Sequence, residues 1–154
     1  MDGKTWLQRE VAALYEITRA MNAGRNRQEV LAVTLERTDK ELGYKAIKMQ
    51  VAHVGDLRTD VDNVRRMREA VGPEIDIMID VNMGWTADVA ILMGRKIEPY
   101  DIYWLEEPVV ADDFKGYLRV AEALDLRIVG GETHFTRFDL RPFFEHPRLP
   151  ILQP

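Results

Sequence analysis

The sequence predicts an α/β protein in which about five parallel strands form an open sheet or part of a (β/α) barrel. From Lys45 onward, short apolar runs alternate with amphipathic segments in the order βαβαβαβαβ, which is typical of a parallel sheet. Asp80, Glu106 and Glu132 each stand where an apolar run ends, and successive carboxylates are 26 positions apart. That spacing holds one strand, one helix and two loops. Five strands are fewer than the eight of a complete barrel.

The composition indicates one globular domain of moderate acidity. The chain has 154 residues, of which 46% are hydrophobic and 31% charged, with a net charge of −5. A mildly acidic chain without a basic cluster argues against a nucleic-acid partner. No apolar run approaches the roughly 20 residues of a membrane span, so no membrane partner is expected. The absence of cysteine excludes disulfides and thiolate metal sites, and no secretory signal pattern is visible. We therefore expect a cytoplasmic protein.

Residues 1–42 are predicted to form a helical segment ahead of the sheet. Apolar residues recur at helical spacing over residues 9–22 and 27–42, which predicts two amphipathic helices in a hairpin. Gly24 and Gly43 follow the two patterns and end them. The simplest interpretation is that both apolar faces pack into a core. The predicted domains are residues 1–42, a helical segment, and residues 43–154, a partial barrel.

The next elements alternate between strand and helix. Residues 45–52 alternate enough to predict a strand, and a helix is expected over residues 60–71, where Gly72-Pro73 ends it. Residues 75–81 are almost continuously apolar, as in a strand buried on both faces. Thr86 or Asp88 can cap the following helix, which runs to about Lys96.

The last predicted elements follow the same alternation. Residues 102–105 predict a strand, Asp112-Asp113 precede a helix that runs to about Leu124, and residues 127–130 predict the next strand. A short helix is expected over residues 138–145, and another strand begins at Ile151.

The strand-end carboxylates predict a metal site. In a parallel sheet the carboxyl ends of neighbouring strands lie at one edge, so Asp80, Glu106 and Glu132 are expected to converge. Three carboxylates repel one another unless a cation neutralises them. Oxygen ligands alone suit Mg²⁺ better than zinc. The alternative is that these acids are solvated loop residues or helix caps.

Five short motifs stand in order along residues 43–154: Gly43-Tyr44-Lys45-Ala46-Ile47-Lys48, Asp80-Val81-Asn82 with Gly84-Trp85, Trp104-Leu105-Glu106-Glu107-Pro108, Gly131-Glu132, and Ile151-Leu152-Gln153-Pro154. In these motifs the chain resembles the barrel domain of the enolase superfamily, in the mandelate racemase and acid-sugar dehydratase group. Residues 10–43 carry a looser pattern, Ala13 to Asn22 followed by Glu29-Val30-Leu31 and Leu42-Gly43, which is similar to the opening helix of a GAF sensor domain.

The resemblance implies a fold and a chemistry. It implies that the second to sixth strands of a (β/α) barrel are present and that Asp80, Glu106 and Glu132 bind Mg²⁺. Asn82 and Glu107 would orient those ligands. In this family a base removes the proton α to a substrate carboxylate, and the metal stabilises the resulting enediolate. The implied substrates are sugar acids that lose water.

The chain departs from the family pattern at its expected base. The family has Lys-x-Lys on the second strand, whereas this chain has Lys48-Met49-Gln50. Gln50 has no useful basicity and is left as a candidate hydrogen-bond donor to substrate. Lys48 is either a remnant of the lysine pair or a strand lysine that reaches a carboxylate or solvent. The family's histidine–aspartate base, its capping domain and its first barrel strand have no counterpart in these residues.

Two histidines are further candidates for substrate contact. His53 follows the second strand of the implied barrel, at the face where barrel active sites lie, and a histidine there can act as acid or base. His134 follows Glu132 by two residues and can reach a substrate. For both residues the alternative is an ordinary loop role.

Two classes of function remain open from the sequence. One is a Mg²⁺-dependent dehydratase or racemase, or a fragment of such an enzyme. The other is a non-catalytic hybrid or truncated scaffold that keeps the fold and the metal site. A partial barrel leaves sheet edges with unpaired backbone groups, so we expect homo-oligomers that cover those edges.

Overall fold

The computed structural model describes residues 44–52, 56–149 and 151–152. The chain divides into two compact units, one made of Met1–Ala46 and Arg66–Ile75 and the other of Ile47–Arg65 and Asp76–Pro154. The helical segment predicted for residues 1–42, and its likeness to a GAF domain, lie outside the described residues. No helix in the described ranges is long and apolar enough to cross a membrane.

Strands and helices alternate along the chain as the sequence predicts. The strands are β1 (Ala46–Gln50), β2 (Asp76–Asp80), β3 (Ile102–Glu106), β4 (Ile128–Gly130) and β5 (Ile151–Leu152). The helices are α1 (Leu57–Val71), α2 (Ala87–Ile97), α3 (Phe114–Ala123) and α4 (Arg137–Glu145). A short 3₁₀ helix at Glu98–Tyr100, which the sequence did not predict, separates α2 from β3.

The five strands form one open sheet in the order β1-β2-β3-β4-β5. Each of the pairs β2–β3, β3–β4 and β4–β5 is parallel. Parallel neighbours require a crossover connection, and in this chain a helix fills each one. The predicted class, an α/β fold with a partial parallel barrel, is confirmed.

The strand register separates a polar face of the sheet from an apolar face. Asp80 is the register partner of Glu106, and Ile79 is the partner of Leu105. Because side chains alternate along a strand, Asp80 and Glu106 share one face while Ile79 and Leu105 share the other. Leu105 is in turn the partner of Ile128. Ile79, Leu105 and Ile128 are fully buried, so this second face belongs to the core.

Helix α3 packs on the apolar face, where Gly130 lies beside Tyr117. A Cβ atom at Gly130 would lie 2.8 Å from Tyr117 Cε1, so the glycine lets the aromatic ring approach the strand. Tyr117 is fully buried, and its ring meets that of Phe143 edge-on at 5.4 Å between centroids. The carboxylates therefore lie on the sheet face opposite to α3.

Local hydrogen bonds determine where three of the helices begin. Thr86 caps α2 by accepting a bond from the Val89 amide, which settles the choice between Thr86 and Asp88. Asp113 caps α3 in the same way through the Gly116 amide at 2.9 Å. Thr136 and Asp139 form a reciprocal capping box at α4.

The last residues of α1 belong to the compact unit that contains Arg66–Ile75, and Arg68 closes this end of the helix. Its guanidinium Nη1 donates to the carbonyls of Gly72 and Ile75, both at 2.7 Å. Gly72 has a φ of 78°, a left-handed conformation that glycine adopts without steric cost. The predicted helix stop at Gly72 is therefore confirmed.

Candidate functional site

Asp80 and Glu106 are the last residues of β2 and β3, so two carboxylates lie side by side at one edge of the sheet. Asp80 is 7% exposed and Glu106 is fully buried. The strands end at the same edge because they are parallel. The sequence prediction that these two carboxylates meet is therefore confirmed.

Both oxygens of Glu106 have a donor. Lys48 Nζ donates to Oε1 at 2.8 Å, and Trp104 Nε1 donates to Oε2 at 3.0 Å. Trp104 precedes Glu106 by two residues on the same strand, so both side chains project from the same sheet face. This indole contact was not predicted as a specific hydrogen bond, although the spacing of two in a strand was a visible signal for it.

Asp80 is held by the loop that follows β2. Its Oδ1 accepts a bond from the backbone amide of Asn82 at 2.9 Å. Asn82 has a φ of 49° and an exposed side chain, so its observed contact with the site is made by the backbone. The same loop is tied to β3 by the Met83 amide, which donates to the Glu107 carbonyl at 2.8 Å.

Lys48 on β1 bridges the two carboxylates. Its Nζ lies 2.8 Å from Glu106 Oε1 and 3.7 Å from Asp80 Oδ2, while the lysine side chain remains 40% exposed. Of the two interpretations of this residue, the structure shows the lysine that reaches a carboxylate. The hydrogen bond to Glu106 raises the pKa of Lys48, and the charges of Glu106, Asp80 and Glu132 add to the rise against the opposing effect of burial.

Glu107 is a buried acid that lies against a second acid, Glu132. It is fully buried, and its side-chain oxygens accept no hydrogen bond from an N–H or hydroxyl donor in the described part of the chain. Burial raises the pKa of Glu107 to about 7, and the charge of Glu132, a side-chain hydrogen bond with Glu132 and the charges of Asp80 and Glu106 act in the same direction. A buried acid in this state indicates a site with a deficit of positive charge.

Glu132 lies just beyond β4, and its side chain is exposed. Its charge acts on both Lys48 and Glu107, so it belongs to the same electrostatic neighbourhood. Within residues 44–52, 56–149 and 151–152, however, no three acid or histidine side chains are arranged to hold a metal ion. The structure thus joins Asp80 and Glu106 through Lys48 and places Glu132 beside Glu107, but the described residues do not arrange Asp80, Glu106 and Glu132 as a finished ligand set.

The other candidates occupy different surroundings. Gln50 is exposed at the end of β1, and His53 lies outside the described residues. The His134 ring packs edge-on against Phe143 at 5.2 Å, and its Nδ1 is buried without a hydrogen-bond partner in the described ranges. His134 also borders a cavity of about 380 Å³ lined by Ala111, Asp112, Phe114, Thr133, His134, Asp139, Pro142 and Phe143.

A family model described as enolase C-terminal domain-like matches residues 31–154. Among curated proteins, the chain is 38% identical over 112 residues to 3,6-anhydro-alpha-L-galactonate cycloisomerase of Streptomyces coelicolor, which covers 73% of this chain and 31% of that protein. It is 37% identical over 110 residues to L-talarate/galactarate dehydratase of Salmonella typhimurium, covering 71% of this chain and 26% of that protein. The chain spans less than a third of the length of either relative.

Two solved structures also resemble this chain over most of its length. The crystal structure of the 3,6-anhydro-D-galactonate cycloisomerase from Zobellia galactanivorans superposes with a TM-score of 0.76 at 33% identity, covering 84% of this chain and 36% of that one. An enolase from Bradyrhizobium, solved with magnesium and mandelic acid, superposes with a TM-score of 0.66 at 33% identity and covers 73% of this chain and 30% of that one.

Proposed function

The chain belongs to the enolase superfamily, and on that premise we propose that it carries the Mg²⁺-binding part of an active site for acid sugars. The reaction would begin with removal of the proton α to the substrate carboxylate. The observation that carries the proposal is the register pair of Asp80 and Glu106, with the buried acid Glu107 beside it. Among the relatives are proteins named as dehydratases and cycloisomerases of acid sugars.

The chemistry of these residues fits a hard divalent cation. The edge holds the acidic side chains of Asp80, Glu106 and Glu107, with Glu132 close enough to raise the pKa of Glu107, and the ammonium of Lys48 lies against Asp80 and Glu106. The ligand atoms that these acidic side chains offer are all oxygens, which Mg²⁺ prefers. Burial and the surrounding acids together raise the pKa of Glu107, so added positive charge at this edge would be stabilising. Completion of a ligand set requires side-chain movement, because the observed positions do not yet form one.

Each acidic residue has a proposed role at this edge. Asp80, Glu106 and Glu132 would hold the ion, while Asn82 and Trp104 keep the carboxylates of Asp80 and Glu106 in place by hydrogen bonds of 2.9 and 3.0 Å. When bound, Mg²⁺ would supply the positive charge that stabilises negative charge developing on the substrate. Glu107, whose pKa is raised to about 7, would add negative charge above that pH and so strengthen cation binding there.

The two β1 residues at this edge, Lys48 and Gln50, limit the removal of a proton from a substrate. Gln50 carries an amide without useful basicity, and Lys48 is the protonated partner of an ion pair. Neither residue can accept the α-proton in this state. This observation favours a second candidate function, in which the chain is a metal-binding scaffold without proton-transfer activity.

Calorimetric titration with Mg²⁺ tests the metal-binding part of the proposal. We expect saturable binding by the unmodified chain and a loss of at least about tenfold in affinity for Glu106→Gln, which keeps the shape and removes one ligand charge. Glu122→Gln, at an exposed position on α3, removes the same charge away from the edge and should bind as the unmodified chain does. Equal binding by all three proteins would contradict a site at Glu106.

Hydrogen exchange separates the enzyme from the scaffold. The chain is incubated in D₂O with Mg²⁺ and an acid sugar such as galactarate, and loss of the α-proton signal is followed by NMR. Exchange that depends on Glu106 supports the enzyme. Mg²⁺ binding without exchange supports the scaffold.

A further inference from the structure

We infer that Lys48 is the resident counter-cation of the carboxylate edge and that its ammonium group must withdraw before a divalent cation binds there. The inference rests on the proposed metal site and adds a competition between an internal cation and the metal. Lys48 is then a residue that determines how tightly the edge binds Mg²⁺.

The geometry gives one ammonium group two carboxylate partners. Lys48 Nζ is 2.8 Å from Glu106 Oε1 and 3.7 Å from Asp80 Oδ2. Asp80 and Glu106 are direct register partners on neighbouring strands, whereas Lys48 stands on β1. The lysine chain therefore extends across the edge and places its charge between the two carboxylates that a metal would need.

The ammonium group of Lys48 and a divalent cation cannot occupy this position together. A divalent cation bound by Glu106 Oε1 and Asp80 would lie within a few ångströms of the ammonium group, where like charges repel strongly. A single ammonium also neutralises less of the edge than a divalent ion does. Glu106, Asp80 and Glu132 all act electrostatically on Lys48, so one ammonium group faces three carboxylates.

The lysine has a route out of the site, and Glu106 stays oriented without it. The Lys48 side chain is 40% exposed, so its end can rotate into water and be solvated there. Trp104 continues to hold Glu106 Oε2 at 3.0 Å. Withdrawal of Lys48 thus opens Oε1 of Glu106 while the carboxylate remains in place.

The test compares Mg²⁺ affinity and metal-free stability of Lys48→Met with those of Lys96→Met. Lys96 is exposed on α2, so both variants have the same net charge and differ only in where the cation is lost. We expect Lys48→Met to bind Mg²⁺ at least about tenfold more tightly than Lys96→Met. In EDTA, Lys48→Met should unfold at a lower temperature than Lys96→Met, and saturating Mg²⁺ should remove that difference. Lys48→Arg, which keeps the charge, should not gain affinity.

A second measurement avoids variants that fail to fold. In the unmodified chain with ¹³C-labelled lysine, the Lys48 Cε signal is assigned by its loss in Lys48→Arg. Addition of Mg²⁺ should move this signal toward the position of solvated lysines and leave the Lys96 signal unchanged. A Lys48 signal that does not move while Mg²⁺ binds would overturn the inference.

The outcomes separate the inference from the proposed function. Equal or weaker Mg²⁺ binding by Lys48→Met, together with a loss in Glu106→Gln, would overturn the competition and leave the metal site standing. Tight binding by Lys48→Met where the unmodified chain binds weakly would support both. Absence of Mg²⁺ binding in every protein would overturn both.

Discussion

At the scale of single residues, the backbone of Glu107 holds a conformation that residues with a side chain rarely adopt. Its φ is 41°, a left-handed conformation that is uncommon for a residue with a Cβ atom. Its amide donates to the Val129 carbonyl and its carbonyl accepts from the Met83 amide, both at 2.8 Å. These two bonds connect the residue to both neighbouring segments. The carboxylate is thus buried because the backbone is anchored on either side.

The buried acid predicts how stability depends on pH. The pKa of Glu107 rises from 4.5 to about 7, so the folded chain keeps a proton that the unfolded chain releases between those values. Stability from this residue is therefore complete below pH 4.5 and is lost as pH rises through 7, by up to about 3 kcal/mol. Urea unfolding in EDTA at pH 5 to 8 should show this loss, and Glu107→Gln should abolish it.

The control for this pH dependence is Glu122→Gln on the exposed surface of α3. It removes a carboxylate that is not buried, so its stability should fall with pH as that of the unmodified chain does. A Glu107→Gln variant whose stability follows the same pH curve as the unmodified chain would contradict the assignment of the proton to Glu107.

At the scale of elements, the helices approach one another and the sheet where small residues leave space. Gly94 of α2 lies against Leu124, so closely that a Cβ atom on the glycine would collide with the leucine side chain. Gly130 of β4 accommodates the ring of Tyr117 in the same manner. Both contacts lie on the core side of the sheet. Close packing at these two contacts depends on the absence of a side chain at Gly94 and Gly130.

Gly130→Ala tests this packing. A Cβ atom there would lie 2.8 to 3.0 Å from three atoms of the Tyr117 side chain, which is fully buried. We expect a loss of about 1 to 3 kcal/mol in the free energy of unfolding, measured by urea denaturation. Leu92→Ala, at a half-exposed position on α2, should change stability by less than about 0.5 kcal/mol. A similar loss in both variants would argue against a specific clash at Gly130.

At the scale of the whole molecule, the described sheet is open, with β1 and β5 as its outer strands. Outer strands carry backbone groups that can pair with another chain. We predict that copies of the chain associate and cover these strands. Sedimentation velocity over a range of micromolar concentrations should give a mass above that of one chain. A single monomeric species across that range would contradict the prediction.

Much of the fold was predictable because the signals are local. Alternating apolar runs predicted the strand order, and each predicted strand or helix from residue 45 onward lies within a few residues of its observed bounds. Thr86, Asp113 and Gly72 act at helix ends because capping depends on neighbours within a few residues. The 3₁₀ helix at Glu98–Tyr100 was missed, since a single short turn has no periodicity to detect.

The sequence by itself determined the family, the parallel α/β order and the placement of Asp80 and Glu106 at one sheet edge, because the repeat of strand and helix gives neighbouring strands the same direction. Only the tertiary structure decided which groups neutralise them. Lys48 reaches Glu106 across 58 residues of sequence, Glu107 is buried beside other acids, and Glu132 is exposed although it stands at the same spacing. Such contacts depend on register, packing and burial between elements distant in sequence, and no local pattern encodes those distances.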